Sequence, residues 1–254
     1  MRLLRSLIAL MLLLAVVAGC AQLMQASLET LMKQGIELLT AGKYDAAIAK
    51  FREVLGRDPR YWNAYLYLAR SYIGKGAFSD AIASGRKALE LGDRNEVVPV
   101  LAEALLRGGL DALGRGQFSE AAGHLGEYVK LKPTDWQGYL GLARAYLGTN
   151  SYGDALQALV QGLGRAPDDT ARQQLLRGML DGGGQALRAG NTRAAIGLLQ
   201  EYVRHDSRSV AAYLELGKAY WQDGNLGSAF GAFQRVLELN PGDPEALQFL
   251  RGRR

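Results

Sequence analysis

The chain has 254 residues, of which 48% are hydrophobic, and this composition is typical of a packed protein rather than a disordered one. Its single cysteine excludes an internal disulfide and a thiolate metal site. The net charge is +5, but the 30 basic and 25 acidic residues are interspersed without a polybasic block, which argues against nucleic-acid binding.

The first 19 residues read as an export signal. Arg2 and Arg5 precede an apolar run from Leu7 to Ala18. This run is typical of a signal-peptide core and is shorter than the roughly 18 residues needed to span a bilayer.

The end of this signal surrounds the only cysteine. Val17, Ala18 and Gly19 lead into Cys20, and the pattern resembles the lipobox of bacterial lipoproteins. The resemblance implies that Cys20 is lipidated and becomes the mature N-terminus. Since the next residue is Ala21 rather than Asp, it also implies sorting to the outer membrane, facing the periplasm. The alternative is a free thiol at the end of an uncleaved apolar segment.

A 34-residue period begins after the signal, with Gly42 recurring as Gly76 and Ala47 as Ala81. The pattern resembles the tetratricopeptide repeat (TPR), in which two helices form a hairpin. The resemblance implies an all-α, right-handed superhelical solenoid of about six repeats. They are predicted at residues 28–61, 62–95, 102–135, 136–169, 176–209 and 210–243, with residues 20–27 as the lipid anchor and start of the first helix.

Small residues recur at two positions of every repeat. We expect them where helices cross, because a larger side chain would push the helix axes apart. The first-helix position is held by Gly35, Ala69, Gly109, Ala143, Gly183 and Gly217, and the second-helix position by Ala47, Ala81, Ala121, Ala155, Ala195 and Ala229. The turns between the two helices are predicted at Gly42, Gly76, Gly116, Asn150, Gly190 and Gly224, which tolerate positive φ.

Two insertions, Glu96 to Leu101 and Thr170 to Leu175, make the true unit a double repeat of 74 residues. We expect them to add turns to first helices, with Asn95 and Thr170 as candidate N-caps. The sequence leaves open whether Gly182 to Gly184 kink the fifth first helix. Residues 244–254 are predicted to form a capping helix and a basic tail.

No constellation for catalysis is present. His124 and His205 lie in different repeats without a metal-ligand or triad pattern, so the chain is predicted not to be an enzyme and to need neither metal nor cofactor beyond the lipid on Cys20.

A repeat solenoid binds partners through its surface, and the first helices line its concave wall. The predicted partner-binding groove consists of three cations flanked by apolar residues one turn away: Leu66, Arg70, Ile73, Leu140, Arg144, Leu147, Leu214, Lys218 and Trp221. Such a groove suits a peptide with acidic and apolar residues. The alternative is that the apolar members pack between hairpins while the cations are merely solvated.

Together the two resemblances predict a lipid-anchored scaffold that binds a protein or peptide partner, without nucleic acid. The architecture resembles the pilotins of type IV pili, which assist assembly of the outer-membrane secretin. Two alternatives stay open: an adaptor of peptidoglycan enzymes, and a structural component of a polysaccharide-export complex.

Overall fold

The computed structural model describes residues 27–251, which contain helices and turns but no strand. Residues 1–26, on which the predicted signal, Cys20 and most of the predicted anchor segment fall, and the last three residues lie outside this range. Helix α1 covers residues 27–40. It is followed by α2 (Tyr44–Arg57), α3 (Trp62–Lys75), α4 (Phe78–Leu91), α5 (Arg94–Gly114), α6 (Phe118–Leu131), α7 (Trp136–Gly148), α8 (Tyr152–Leu163), α9 (Asp169–Arg188), α10 (Thr192–His205), α11 (Val210–Gln222), α12 (Leu226–Leu239) and α13 (Pro244–Arg251).

The two insertions lengthen helices as expected. Helices α5 and α9 have 21 and 20 residues, whereas the neighbouring first helices α3, α7 and α11 have 13 or 14. Helix α9 continues through Gly182, Gly183 and Gly184, so these glycines do not end it.

Both predicted N-caps are wrong. Helix α9 begins one residue before Thr170, and its cap is Asp168, whose carboxylate accepts a hydrogen bond from the Ala171 N–H at 2.8 Å. Helix α5 begins one residue before Asn95, and Asp93 accepts the Asn95 N–H at 2.8 Å. A capping side chain must precede the first helical residue, and a carboxylate there also meets the positive end of the helix dipole.

The predicted turn conformation is confirmed in all six hairpins. The five turn glycines have φ between 71° and 79°, and Asn150 has φ 57°. At the first of the even hairpins, the Ala77 N–H donates to the Tyr72 carbonyl at 2.9 Å across Gly76. Such a bond closes a helix C-terminus around a left-handed residue and fixes where the second helix starts.

The chain divides into two compact units, and the boundary lies inside α5. In unit 1, the described residues up to Arg107, α3 packs against both α2 and α4. In unit 2, from Gly108 to Arg251, each helix from α6 to α12 packs against the next along the chain. There α7 also contacts α9, α9 contacts α11, and α8 contacts α10, so that first helices pair with first helices and second helices with second.

The crossings within hairpins leave no space for a side chain on one partner. A Cβ atom added to Gly217 would lie 2.6 Å from Phe233 Cε1, and one added to Gly109 would lie 2.6 Å from Leu125 Cγ. In both pairs the large residue follows the glycine by 16 positions. Close approach of the two helices therefore depends on the missing Cβ.

The two remaining odd repeats follow the same rule. A Cβ atom on Gly35 would lie 2.5 Å from Phe51 Cε1, and one on Gly183 would lie 2.6 Å from Leu199 Cγ. The alanines of the second helices, which are predicted to stand at crossings, are all fully buried. The expectation that small residues stand where helices cross is confirmed.

No helix among residues 27–251 is both long enough and apolar enough to cross a membrane.

Replacing Gly217 with Ala should destabilise the protein by about 1–3 kcal/mol, because the new Cβ would lie 2.6 Å from Cε1 of the fully buried Phe233 ring, so that one of the two must shift. The matched control is Gly231→Ala in α12, where an added Cβ meets nothing within 4 Å. That change should stabilise the helix by up to about 1 kcal/mol. Urea unfolding followed by circular dichroism measures both, and equal midpoints for the two variants would contradict the crossing constraint.

Candidate partner-binding surface

In unit 1 the predicted groove residues separate into core and surface. Leu66 is 2% exposed and Ile73 is 5% exposed, so both pack inside the unit. Arg70 is exposed, with its guanidinium carbon 5.2 Å from the centroid of the Tyr67 ring. This cation–π contact holds the charge over an aromatic face of the same helix.

Unit 2 repeats this separation on α7. Leu140 and Leu147 are buried at 5% and 8% exposure, whereas Arg144 is exposed. The Arg144 guanidinium makes no ion pair or hydrogen bond with any residue of the described range. A partner could reach the cations but less than a tenth of each of the four buried apolar side chains. Their role in partner binding stays a prediction.

The last group of predicted residues is engaged by the C-terminal helix. Lys218 Nζ lies 3.0 Å from Glu215 Oε1 and 2.7 Å from Glu245 Oε1, the latter on α13. Burial lowers the pKa of Lys218, but hydrogen bonds to Glu245 and Glu215 outweigh it and leave the pKa above its ordinary value. Lys218 therefore joins α11 to α13 rather than presenting a free charge.

Leu214 and Trp221 are half-buried beside the same helix and pack against the cluster formed by Ala229, Phe233, Val236 and Ala246. Phe249 of α13 stacks on Phe233, with ring centroids 4.4 Å apart, and meets Trp221 edge-on at 5.4 Å. Helix α13 thus covers the apolar end of the last hairpin, as a capping helix does.

Two further exposed residues of unit 2 are not part of the predicted groove, although Leu110 holds a groove-facing repeat position in the sequence. Leu110 is 46% exposed, and its Cδ2 lies 3.8 Å from where a Cβ on Gly141 would stand. Gly141 precedes Arg144 by one turn on α7, so Leu110 lies beside this exposed cation. Leu110 occupies the same repeat position as Arg144. A leucine at a repeat position that is exposed to solvent is the feature of the sequence that could have identified it as a binding residue.

The second of these residues is Arg188 on α9, which is exposed and has no ion pair or hydrogen bond within the described part of the chain. Gly184 holds the repeat position of Arg144, and Arg188 follows it by one turn. Its Nη1 lies 3.4 Å from where a Cβ on Gly184 would stand. We call Leu110, Arg144 and Arg188 the first-helix surface of unit 2.

Each of the two histidines has a glutamate side chain within 4 Å of its ring. His124 Nε2 lies 3.4 Å from Glu120, and His205 lies 3.3 Å from Glu201 and 3.1 Å from Arg172. Residues 27–251 contain no group of three potential metal ligands.

Sequence models of the tetratricopeptide repeat match the chain at residues 32–96, 112–180 and 182–244, well over half of its length. None of the curated proteins matches the chain significantly.

Many solved structures match, at low sequence identity. "Structure of Naa15/Naa10 bound to HypK-THB" is 18% identical, covers 89% of this chain and 34% of its own, and has a TM-score of 0.55. PilW, described as a "widely conserved type IV pilus biogenesis factor", is 19% identical over 88% of this chain and 98% of its own, with a TM-score of 0.41. MamA from Desulfovibrio magneticus RS-1 is 16% identical over 85% and 97%, with a TM-score of 0.41. These likenesses concern the fold alone.

Proposed function

Because the chain belongs to the tetratricopeptide repeat family, we propose that it is a protein-interaction scaffold, held at the outer membrane by a lipid on Cys20, whose first helices bind a partner. The observation that carries the binding surface is the patch of Leu110, Arg144 and Arg188. It combines an exposed apolar side chain with two exposed guanidinium groups that make no ion pair or hydrogen bond within the described residues.

This patch specifies the chemistry of the partner. Guanidinium groups form strong paired hydrogen bonds with carboxylates, and an exposed leucine gains free energy when an apolar side chain covers it. The partner segment is therefore acidic, with at least one apolar residue between or beside its carboxylates. Charge at the rim of an interface chiefly sets the association rate and the choice of partner.

The anchor is proposed from the lipobox pattern. A single acyl chain binds membranes reversibly, whereas two or more hold a protein stably, so a multiply acylated Cys20 would keep the scaffold at the membrane. Seven residue steps separate Cys20 from the start of the described part of α1, and a fully extended chain of that length spans at most about 25 Å. The start of α1 would thus lie within about this distance of the membrane.

Among assemblies at this location, a pilus secretin is our preferred partner, and a peptidoglycan enzyme or a polysaccharide-export component are the alternatives. Purification of the anchored protein from its own envelope, followed by mass spectrometry, separates the three. A preparation that contains none of them would exclude all three assignments.

Reversing Arg144 and Arg188 together to Glu should weaken the captured partner's affinity at least about tenfold, because an acidic segment would then meet like charges. Lys218 is left unchanged, since its ion pairs hold α13 in place. Binding is measured with the purified partner by calorimetry, and helical content by circular dichroism.

The matched control reverses one exposed cation in each unit away from these positions, Arg94 at the start of α5 and Arg193 in the first turn of α10. Both are near helix N-termini, where Glu is favourable. The control should bind normally. If the two double variants bind equally well, the cations of the first helices are solvated surface.

Cys20→Ala should abolish incorporation of labelled palmitate and leave the protein uncleaved or released from the membrane, because no thiol remains to carry the lipid. The companion variant Ala21→Asp should still incorporate palmitate but should fractionate with the inner membrane. Labelling of the Cys20→Ala variant would disprove the lipobox interpretation.

A further inference from the structure

The three even repeats share a tyrosine on their first helix. Among the described residues, the tyrosine hydroxyl accepts a side-chain hydrogen bond in the second and sixth repeats but not in the fourth. Arg52 Nη2 donates to the Tyr72 hydroxyl at 2.6 Å, and Gln200 Nε2 donates to the Tyr220 hydroxyl. Arg52 and Gln200 are separated by two 74-residue periods. The residue midway between them is Gly126. The hydroxyl of Tyr146 accordingly makes no hydrogen bond with the described residues.

A cleft of about 710 Å³ opens where this side chain is missing. It lies in unit 2 between the second helices α6 and α8, with residues of α7 as its floor. Its lining comprises Ala122, Gly123, Gly126, Glu127, Val129, Lys130, Tyr139, Leu142, Tyr146 and Gln161. Its volume is within the range of sites that hold ligands.

The 74-residue period shows which side chains the middle double repeat lacks. Ala122 stands where the other two have Ile48 and Ile196, and Gly126 stands where they have Arg52 and Gln200. Both truncated positions line the cleft, one helical turn apart. The middle repeat has therefore lost an aliphatic group and a hydrogen-bond donor from one surface.

The middle double repeat also has less positive charge around the cleft than the other two. Gln161 replaces a cation, since the equivalent residues are Lys87 and Arg235. Asp154, equivalent to Asp80, lines an adjoining hollow with Tyr146 and Gln161. Asp154 is exposed and makes no ion pair or hydrogen bond within residues 27–251.

Lys130 is the cation on the lining, on α6 one turn after Gly126. The α6 side also carries the Glu127 carboxylate. On the α8 side, Gln161 lines the cleft, and the adjoining hollow, which shares Tyr146 and Gln161 with it, adds the Asp154 carboxylate and Gln157. A guanidinium carries five N–H donors in one plane, so it can donate to more than one of these acceptors.

We infer that this cleft is a second binding site, distinct from the first-helix surface, and that it takes an arginine side chain with a neighbouring aliphatic residue from a partner protein. The partner supplies in trans the pair that Ile48 and Arg52 supply within the first double repeat. Its guanidinium bonds the Tyr146 hydroxyl and the Asp154 carboxylate, and its aliphatic side chain fills the space above Ala122.

The test uses the protein with carbon-13-labelled tyrosine rings and the peptide acetyl-Ile-Ala-Ala-Ala-Arg-Ala-amide. Tyr146→Phe assigns the Tyr146 ring signals. The peptide should shift them saturably at millimolar concentrations or below. The same peptide with citrulline in place of arginine keeps the shape but loses the charge. Its affinity should be lower by at least about tenfold.

Gly126→Arg restores the side chain that the first double repeat has and should abolish the response to the peptide. Its matched control is Gly231→Arg on α12, an exposed position where a Cβ meets nothing within 4 Å, and this variant should bind normally. Circular dichroism checks that both variants fold.

Three results would overturn the inference: Tyr146 signals that do not respond to the arginine peptide, equal affinity for the citrulline peptide, or unchanged binding by Gly126→Arg. Because no residue of the first-helix surface lines the cleft, each result is independent of whether the first-helix surface binds its acidic partner.

Discussion

The close crossing of the two helices in each hairpin is the constraint on which the rest of the structure depends. Glycine at the first-helix position lets a phenylalanine or leucine of the second helix approach within the distance that a Cβ would occupy. The turn residue with positive φ then sets where the second helix starts. Four hairpins meet the first condition with glycine and two with the fully buried Ala69 and Ala143, and all six meet the second. The outward side chains are then free to differ between repeats.

Much of the fold was predictable because these conditions leave a periodic trace. The turn glycines, Asn150 and the lengthened helices α5 and α9 all follow from spacing in the sequence. The N-caps were missed because periodicity places an insertion only to within a residue or two, while the capping role belongs to the one side chain just before the helix.

The candidate sites were less predictable because side-chain position depends on tertiary contacts that spacing does not contain. Leu66 and Leu140 share a helical stripe with exposed cations, yet helix packing buries them. Lys218 occupies the repeat position of Arg144 but pairs with Glu245 on α13. The cleft over Tyr146 was visible in the sequence only as Gly126, a residue whose meaning required the bond between Arg52 and Tyr72.

A double-mutant cycle between Gly217 and Phe233 tests the crossing constraint most directly. Phe233→Leu in the Gly217→Ala background creates the pair that the chain already uses at Ala143 and Leu159, both fully buried. The constraint predicts that Phe233→Leu offsets part of the loss caused by Gly217→Ala, with a favourable coupling free energy of about 1 kcal/mol or more in urea unfolding. Strictly additive losses would show that the missing Cβ does not determine how closely the helices approach.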